Sequence, residues 1–182
     1  MTALAADFEQ RARPLFARYA YPEWLERHSV LVGRVATLLA RARVEAGDCL
    51  DLATVALAGY LHDIGRSPLL RADGRDHADL SALALAAEGL GHLAEAVRRH
   101  PVYRVLDPAL APRTLEEKLV YVADRRAGQR VESVESRLRD TAERHPRYAG
   151  EIERSLAGAL DLEREVFAGL RFGPDELAGR LA

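Results

Sequence analysis

Residues 57 to 69, LAGYLHDIGRSPL, run as an apolar helix into an imidazole and a carboxylate side by side, His62 and Asp63, before Gly65 and Pro68 end it. A buried, unpaired polar group is costly and a buried charge more so. The pair therefore has specific partners or holds a cation. Partners are on offer elsewhere in the chain: His28 and His100 fall on apolar stripes of their own, and KLVYVAD repeats the pattern of an apolar run ending in a carboxylate, at Asp124. Taken singly, each is a core histidine or a helix-terminal carboxylate with a hydrogen-bonded neighbour. Three inward histidines and two inward carboxylates together would need several separate explanations, which one shared metal replaces. Imidazole nitrogen and carboxylate oxygen suit Mn, Fe, Co, Ni or Zn. No Ser-His-Asp or Cys-His set is evident, and the single cysteine, Cys49, excludes an intrachain disulfide and a cysteine-based zinc knuckle.

The elements that must position these residues are helical almost throughout. The 182 residues are 48% apolar and 30% charged with a net charge of −2, the composition of one soluble globular domain over residues 1–182, with no long-range pull toward a nucleic-acid polymer. No basic segment followed by an apolar run opens the chain, and no stretch approaches a membrane span, so a cytoplasmic protein without a membrane partner is expected. A first helix over about 3–19 is kinked or divided at Pro14. A second carries the stripe Trp24, Leu25, His28, Leu31, Val32, Val35, Leu38 and Leu39 at helical spacing and closes at Gly47. A third spans about 50–63, and GRSPLLRADGRD reads as a loop. Asp76 caps a helix over about 77–89, HLAEAVRRH forms another ending at Pro101, and Thr114 with Glu117 has capping-box spacing. Helices over about 131–144 and 148–171 and a short terminal one complete an all-α, compact bundle of seven to nine helices.

His28, then His62-Asp63 followed by Ile64-Gly65, then Asp124 after an apolar run, resembles the HD-domain superfamily of metal-dependent phosphohydrolases, whose signature is H…HD…D on a helical bundle. The resemblance covers about residues 20–130 and leaves the two long C-terminal helices, about 131–182, as an extension. It implies that His28, His62, Asp63 and Asp124 ligate one metal. Members with binuclear centres place two more histidines between the HD pair and the last aspartate; His77, opening a helix, and His100, ending one, stand there, so Asp63 would bridge two divalent ions drawn from Fe, Mn, Co, Ni, Mg or Zn. Both imidazoles must then lie within ligand reach of Asp63. Two metals about 3.5–4 Å apart polarise a phosphoryl group and lower the pKa of a water toward neutrality, giving a hydroxide nucleophile without a side-chain base.

A subset of that superfamily follows HDIG with a lysine thought to contact substrate; here the position is Arg66, expected to reach a phosphoryl oxygen beside the catalytic Asp63. Arg125, Arg126 and Arg130 read as a solvated face in a chain with 25 arginines and one lysine. That lysine, Lys118, points away from Asp124, and His92 and His145 sit at loop-like, surface positions. The resemblance implies hydrolysis of a small phosphorylated substrate, a nucleotide or dinucleoside polyphosphate, with self-association left open. Two rival activities share the pattern: a di-iron HD-type oxygenase, distinguished by iron content and oxygen consumption, and a non-catalytic regulatory domain, disfavoured by the full ligand set.

Overall fold

The computed structural model describes residues 3–70 and 74–181; part of the expected 65–76 loop, residues 71–73, lies outside them. Nine α-helices and no strand occur among the described residues. They are α1 (Ala3–Arg18), α2 (Glu23–Glu45), α3 (Leu52–Leu61), α4 (His77–Ala87), α5 (Ala94–Arg98), α6 (Leu115–Arg126), α7 (Val134–Arg144), α8 (Ala149–Phe167) and α9 (Leu177–Leu181), joined by short 3-10 turns such as Ile64–Arg66. No helix among the described residues is long and apolar enough to cross a membrane.

The bundle is organised around α3. Asp51 caps it by accepting from the Ala53 and Thr54 amides, and every residue from Val55 to Leu61 is buried, so the helix is apolar all round and is enclosed by α1, α2, α5 and α6. Its closest neighbour is α2. A Cβ on Gly33 of α2 would stand 2.3 Å from the Tyr60 ring, and one on Gly59 of α3 would stand 2.7 Å from Ala36 Cβ. The glycines let the two helices touch backbone to side chain, and this close approach brings His28 of α2 beside His62, just past the end of α3. The third wall is α6, whose capping box forms as spaced: Thr114 Oγ1 accepts from the Glu117 amide at 3.3 Å, and the Glu117 carboxylate accepts from the Thr114 amide at 3.3 Å.

Several local expectations are corrected. Helix α1 runs through Pro14 undivided, held by the buried Ala12, Leu15 and Phe16 around it. Trp24, placed on the inward stripe, is 44% exposed; it stands in the first turn of α2, ahead of the packed face that starts at Leu25. The third helix ends at Leu61, before Gly65 and Pro68, so Gly65 does not terminate it. The reason for that glycine is contact: a Cβ there would meet the His77 carbonyl oxygen at 2.0 Å and the Ser81 amide nitrogen at 2.7 Å. Residue 131 pairs with Ala127 in an isolated bridge, and α7 starts at Val134 under a Ser133 cap. Helix α8 stops at Phe167 rather than 171, followed by Gly169 at φ +77°.

Candidate metal centre

Each of the six residues sits at an element end or on an inward face that converges on one place. His28 projects from the first turns of α2, and His62 caps α3. Asp63 follows in the turn, His77 opens α4, His100 follows α5, and Asp124 lies in the last turn of α6. Five of them are at most 5% exposed, and the His77 side chain is 18% exposed.

The carboxylate of Asp63 stands in the middle with its two oxygens facing different partners. On one side, Asp63 Oδ2 lies 3.7 Å from His28 Nε2 and 3.5 Å from His62 Nε2, and Asp124 Oδ1 lies 3.3 and 3.8 Å from the same two nitrogens. On the other, Asp63 Oδ1 lies 3.4 Å from His77 Nε2 and 3.5 Å from His100 Nε2. The paired imidazole nitrogens are themselves close, 3.2 Å for His28 and His62 and 3.3 Å for His77 and His100. Two groups, His28 with His62 and Asp124, and His62 with Asp63 and His100, present donor atoms compact enough to hold an ion.

The far side of each ring shows which nitrogen carries the proton. His62 Nδ1 lies 2.9 Å from the Gly59 carbonyl, His100 Nδ1 2.6 Å from the Val97 carbonyl, and His28 Nδ1 3.4 Å from the Gly128 carbonyl. A carbonyl only accepts, so in each case Nδ1–H donates and, in the neutral ring, Nε2 is a lone pair. For His77 the same follows from the other side, because Arg66 Nη2 donates to its Nε2 at 3.0 Å. Four lone pairs and three carboxylate oxygens, both of Asp63 and Oδ1 of Asp124, thus face inward, and backbone carbonyls orient the rings of His28, His62 and His100 in the way that fixes metal-ligating histidines. Lone pairs 3.2 Å apart repel one another unless a cation stands between them, and the donor set fits a divalent ion of intermediate hardness.

Burial holds His28 at about 3; burial and the Arg66 charge hold His77 at about 3; and burial holds His100 at about 4. These rings are therefore neutral and ready to ligate near pH 7. Burial would push the Asp63 carboxyl up, but the Arg66 guanidinium beside it holds it well below the usual range.

Arg66 does not project freely toward solvent. Its Nε donates to Asp63 Oδ1 at 2.7 Å while Nη2 reaches His77, so the guanidinium lies against the Oδ1 side of the centre, with its side chain 40% exposed. Arg125 and Arg126 are corrected from a solvated face: they are 8% and 4% exposed. Arg125 pairs with Asp124, and Arg126 turns toward Glu163 and the Pro174 carbonyl. Arg130 is exposed, as are His92 and His145. Lys118 reaches away to Glu165 at 2.5 Å. Two residues near the centre had no signal in the sequence. Tyr21, stacked on Phe16 at 4.6 Å, has a buried hydroxyl without a hydrogen-bond partner among the described residues, and burial together with Asp63 raises it well above an ordinary phenol. Arg137 of α7 lies over Gly128.

Residues 25–128 match the family model described as HD domain, which is more than half of the chain. The chain belongs to the HD domain family. No curated protein and no solved structure matches it. HD domains bind divalent metals and are typically metal-dependent phosphohydrolases. All six converging residues of this HD domain fall within the matched segment, while α7, α8 and α9 lie beyond it.

Proposed function

We propose that this HD domain hydrolyses a phosphate ester or anhydride of a small molecule, a nucleotide or dinucleoside polyphosphate, at a centre of two divalent ions. The observation that supports it most is the division of Asp63, one oxygen toward His28, His62 and Asp124 and the other toward His77 and His100. A carboxylate so placed would offer one oxygen to each of two ions. Divalent cations bound there would supply Lewis acids for a phosphoryl oxygen and a water of lowered pKa.

The chain's own groups do the rest. His28, His62 and Asp124 would hold one ion and His77 and His100 the other, each ring kept in register by its backbone carbonyl or its neighbour. Near-complete burial of His62, Asp63 and Asp124 keeps competing water from the centre and strengthens each charge interaction there. Arg66, the most exposed of the group, would turn from Asp63 and His77 to a phosphoryl oxygen, two N–H donors matching two oxygens. No side chain is needed as base, and Asp63 is the carboxylate whose two oxygens face the two halves.

The test is a screen of phosphomonoesters, cyclic nucleotides and dinucleoside polyphosphates against protein loaded separately with Mn, Fe, Co, Ni, Mg and Zn, with Asp63→Ala as control. Turnover of at least one class by the wild type, abolished in the variant together with most of its bound metal, is expected. Full activity in Asp63→Ala, or oxygen consumption by an iron-loaded protein inert toward every phosphate compound, would overturn the reading.

A further inference from the structure

Among the described residues, Arg125 and Arg137 bring guanidiniums near the centre in addition to Arg66. Arg125 is buried beside Asp124, to which its Nη2 is bound, and lies over the Tyr121 ring at 5.4 Å. Arg137 arrives from α7, outside the family-matched segment. Its Cδ lies 3.4 Å from where a Cβ on Gly128 would stand, above the residue whose carbonyl faces His28 Nδ1. Arg137 Nη1 donates to Thr141 Oγ1 at 3.2 Å, yet Arg137 makes no ion pair among the described residues. The Nε atoms of both Arg125 and Arg137 are buried without a hydrogen-bond partner among those residues.

Guanidinium N–H groups buried without an acceptor are costly unless an anion joins them. Asp63, Asp124 and Glu132 oppose the three charges in the bare protein, but two divalent ions would leave the loaded centre strongly positive. Arg66 flanks the His77 and Asp63 Oδ1 side, whereas Arg125 and Arg137 flank the Asp124 and His28 side. We propose that Arg125 and Arg137 form a second anion subsite, which takes a phosphoryl group adjacent to the one held at the metals and Arg66, so that the site selects a diphosphate or longer chain over a monophosphate. This rests on the reading of the centre as a phosphohydrolase site.

The test is calorimetric titration of metal-loaded protein with two non-hydrolysable probes, methylenediphosphonate and methylphosphonate, for the wild type, Arg137→Gln and Arg137→Lys. Wild type is expected to prefer methylenediphosphonate. Arg137→Gln should weaken that probe on the order of ten- to a hundredfold, the worth of a hydrogen bond to a charged group, and methylphosphonate by less than about threefold. Arg137→Lys, which keeps the charge and spares the fold if the glutamine variant does not, should weaken methylenediphosphonate less. Equal binding of methylenediphosphonate by all three proteins, or equal loss of both probes, overturns the subsite. If the wild type turns over no phosphate compound but shows the Arg137-dependent preference, the subsite stands and the hydrolase reading falls. If turnover is found and the preference does not depend on Arg137, the reverse holds.

Discussion

Replacing Gly65 by alanine tests how the second half of the centre is held. The added Cβ would meet the His77 carbonyl oxygen at 2.0 Å, the Ser81 amide nitrogen at 2.7 Å and Leu80 Cβ at 2.9 Å. Two of these are backbone atoms of α4 and cannot rotate away. Since Cβ contacts under 3.0 Å are essentially never seen, the first turn of α4 must retreat by at least about 1 Å. The same turn carries His77. Metal ligation tolerates about 0.2 Å in ligand distance, so the displacement is some five times what the ligand set accepts. The hydrogen bond from the Gly65 amide to Ser81 Oγ, 2.8 Å, is strained by the same movement. Overpacking of this kind costs about 1–3 kcal/mol of stability. Gly65→Ala is therefore expected to fold with a lowered denaturant midpoint and to bind one divalent ion instead of two, because His28, His62 and Asp124 lie on elements that α4 does not carry. Elemental analysis after equilibrium dialysis measures the stoichiometry, and urea unfolding the stability. Two ions per chain and a wild-type midpoint would refute the argument that this glycine sets the seat of His77.

Two further outcomes follow from the charges at the centre. Arg66 donates to Asp63 Oδ1 and His77 Nε2 and repels a cation on that side, so Arg66→Gln should tighten binding of the second ion on the order of tenfold while raising KM for substrate; metal titration and steady-state kinetics separate the two effects, and weaker binding of the second ion would contradict the competition. In metal-free protein, burial holds His28 and His77 at about 3 and His100 at about 4, below the ordinary value of about 6.5. The unfolded chain then binds more protons than the folded one below that value, so stability is full above about pH 6.5 and falls as pH drops toward 4, by roughly 2 kcal/mol per histidine at pH 5. Urea unfolding of chelator-treated protein at pH 7.5 and pH 5 measures it, and equal midpoints would show that the rings are not buried neutral.

Much of the centre was legible because its residues interrupt apolar patterns. His28, His62 and His100 stand where only aliphatic side chains would otherwise stand, and Asp63 and Asp124 each close an apolar run; such interruptions need a buried partner, and periodicity alone locates them. Trp24 shows the limit of the same signal: it shares the phase of the stripe, but the neighbours of α2 begin only at Leu25, and phase does not say where a neighbouring helix starts. Gly65 shows another. A glycine beside a proline reads as a stop, whereas its role is to admit the backbone of α4, a contact between segments that local sequence does not encode. Arg125 and Arg137 were hidden by composition, since in a chain with 25 arginines and one lysine a guanidinium turned toward a site looks like any surface one. The burial of Arg125 and the partial burial of Arg137 depend on where α6 and α7 meet.

The central claim is that Asp63 joins two cation seats, and anomalous scattering from crystals of the manganese-loaded protein tests it most directly. The account predicts two peaks about 3.5–4 Å apart, one between Asp63, His28, His62 and Asp124 and the other between Asp63, His77 and His100. No peak beside Asp63, or a single peak away from His77 and His100 under saturating metal, would contradict it.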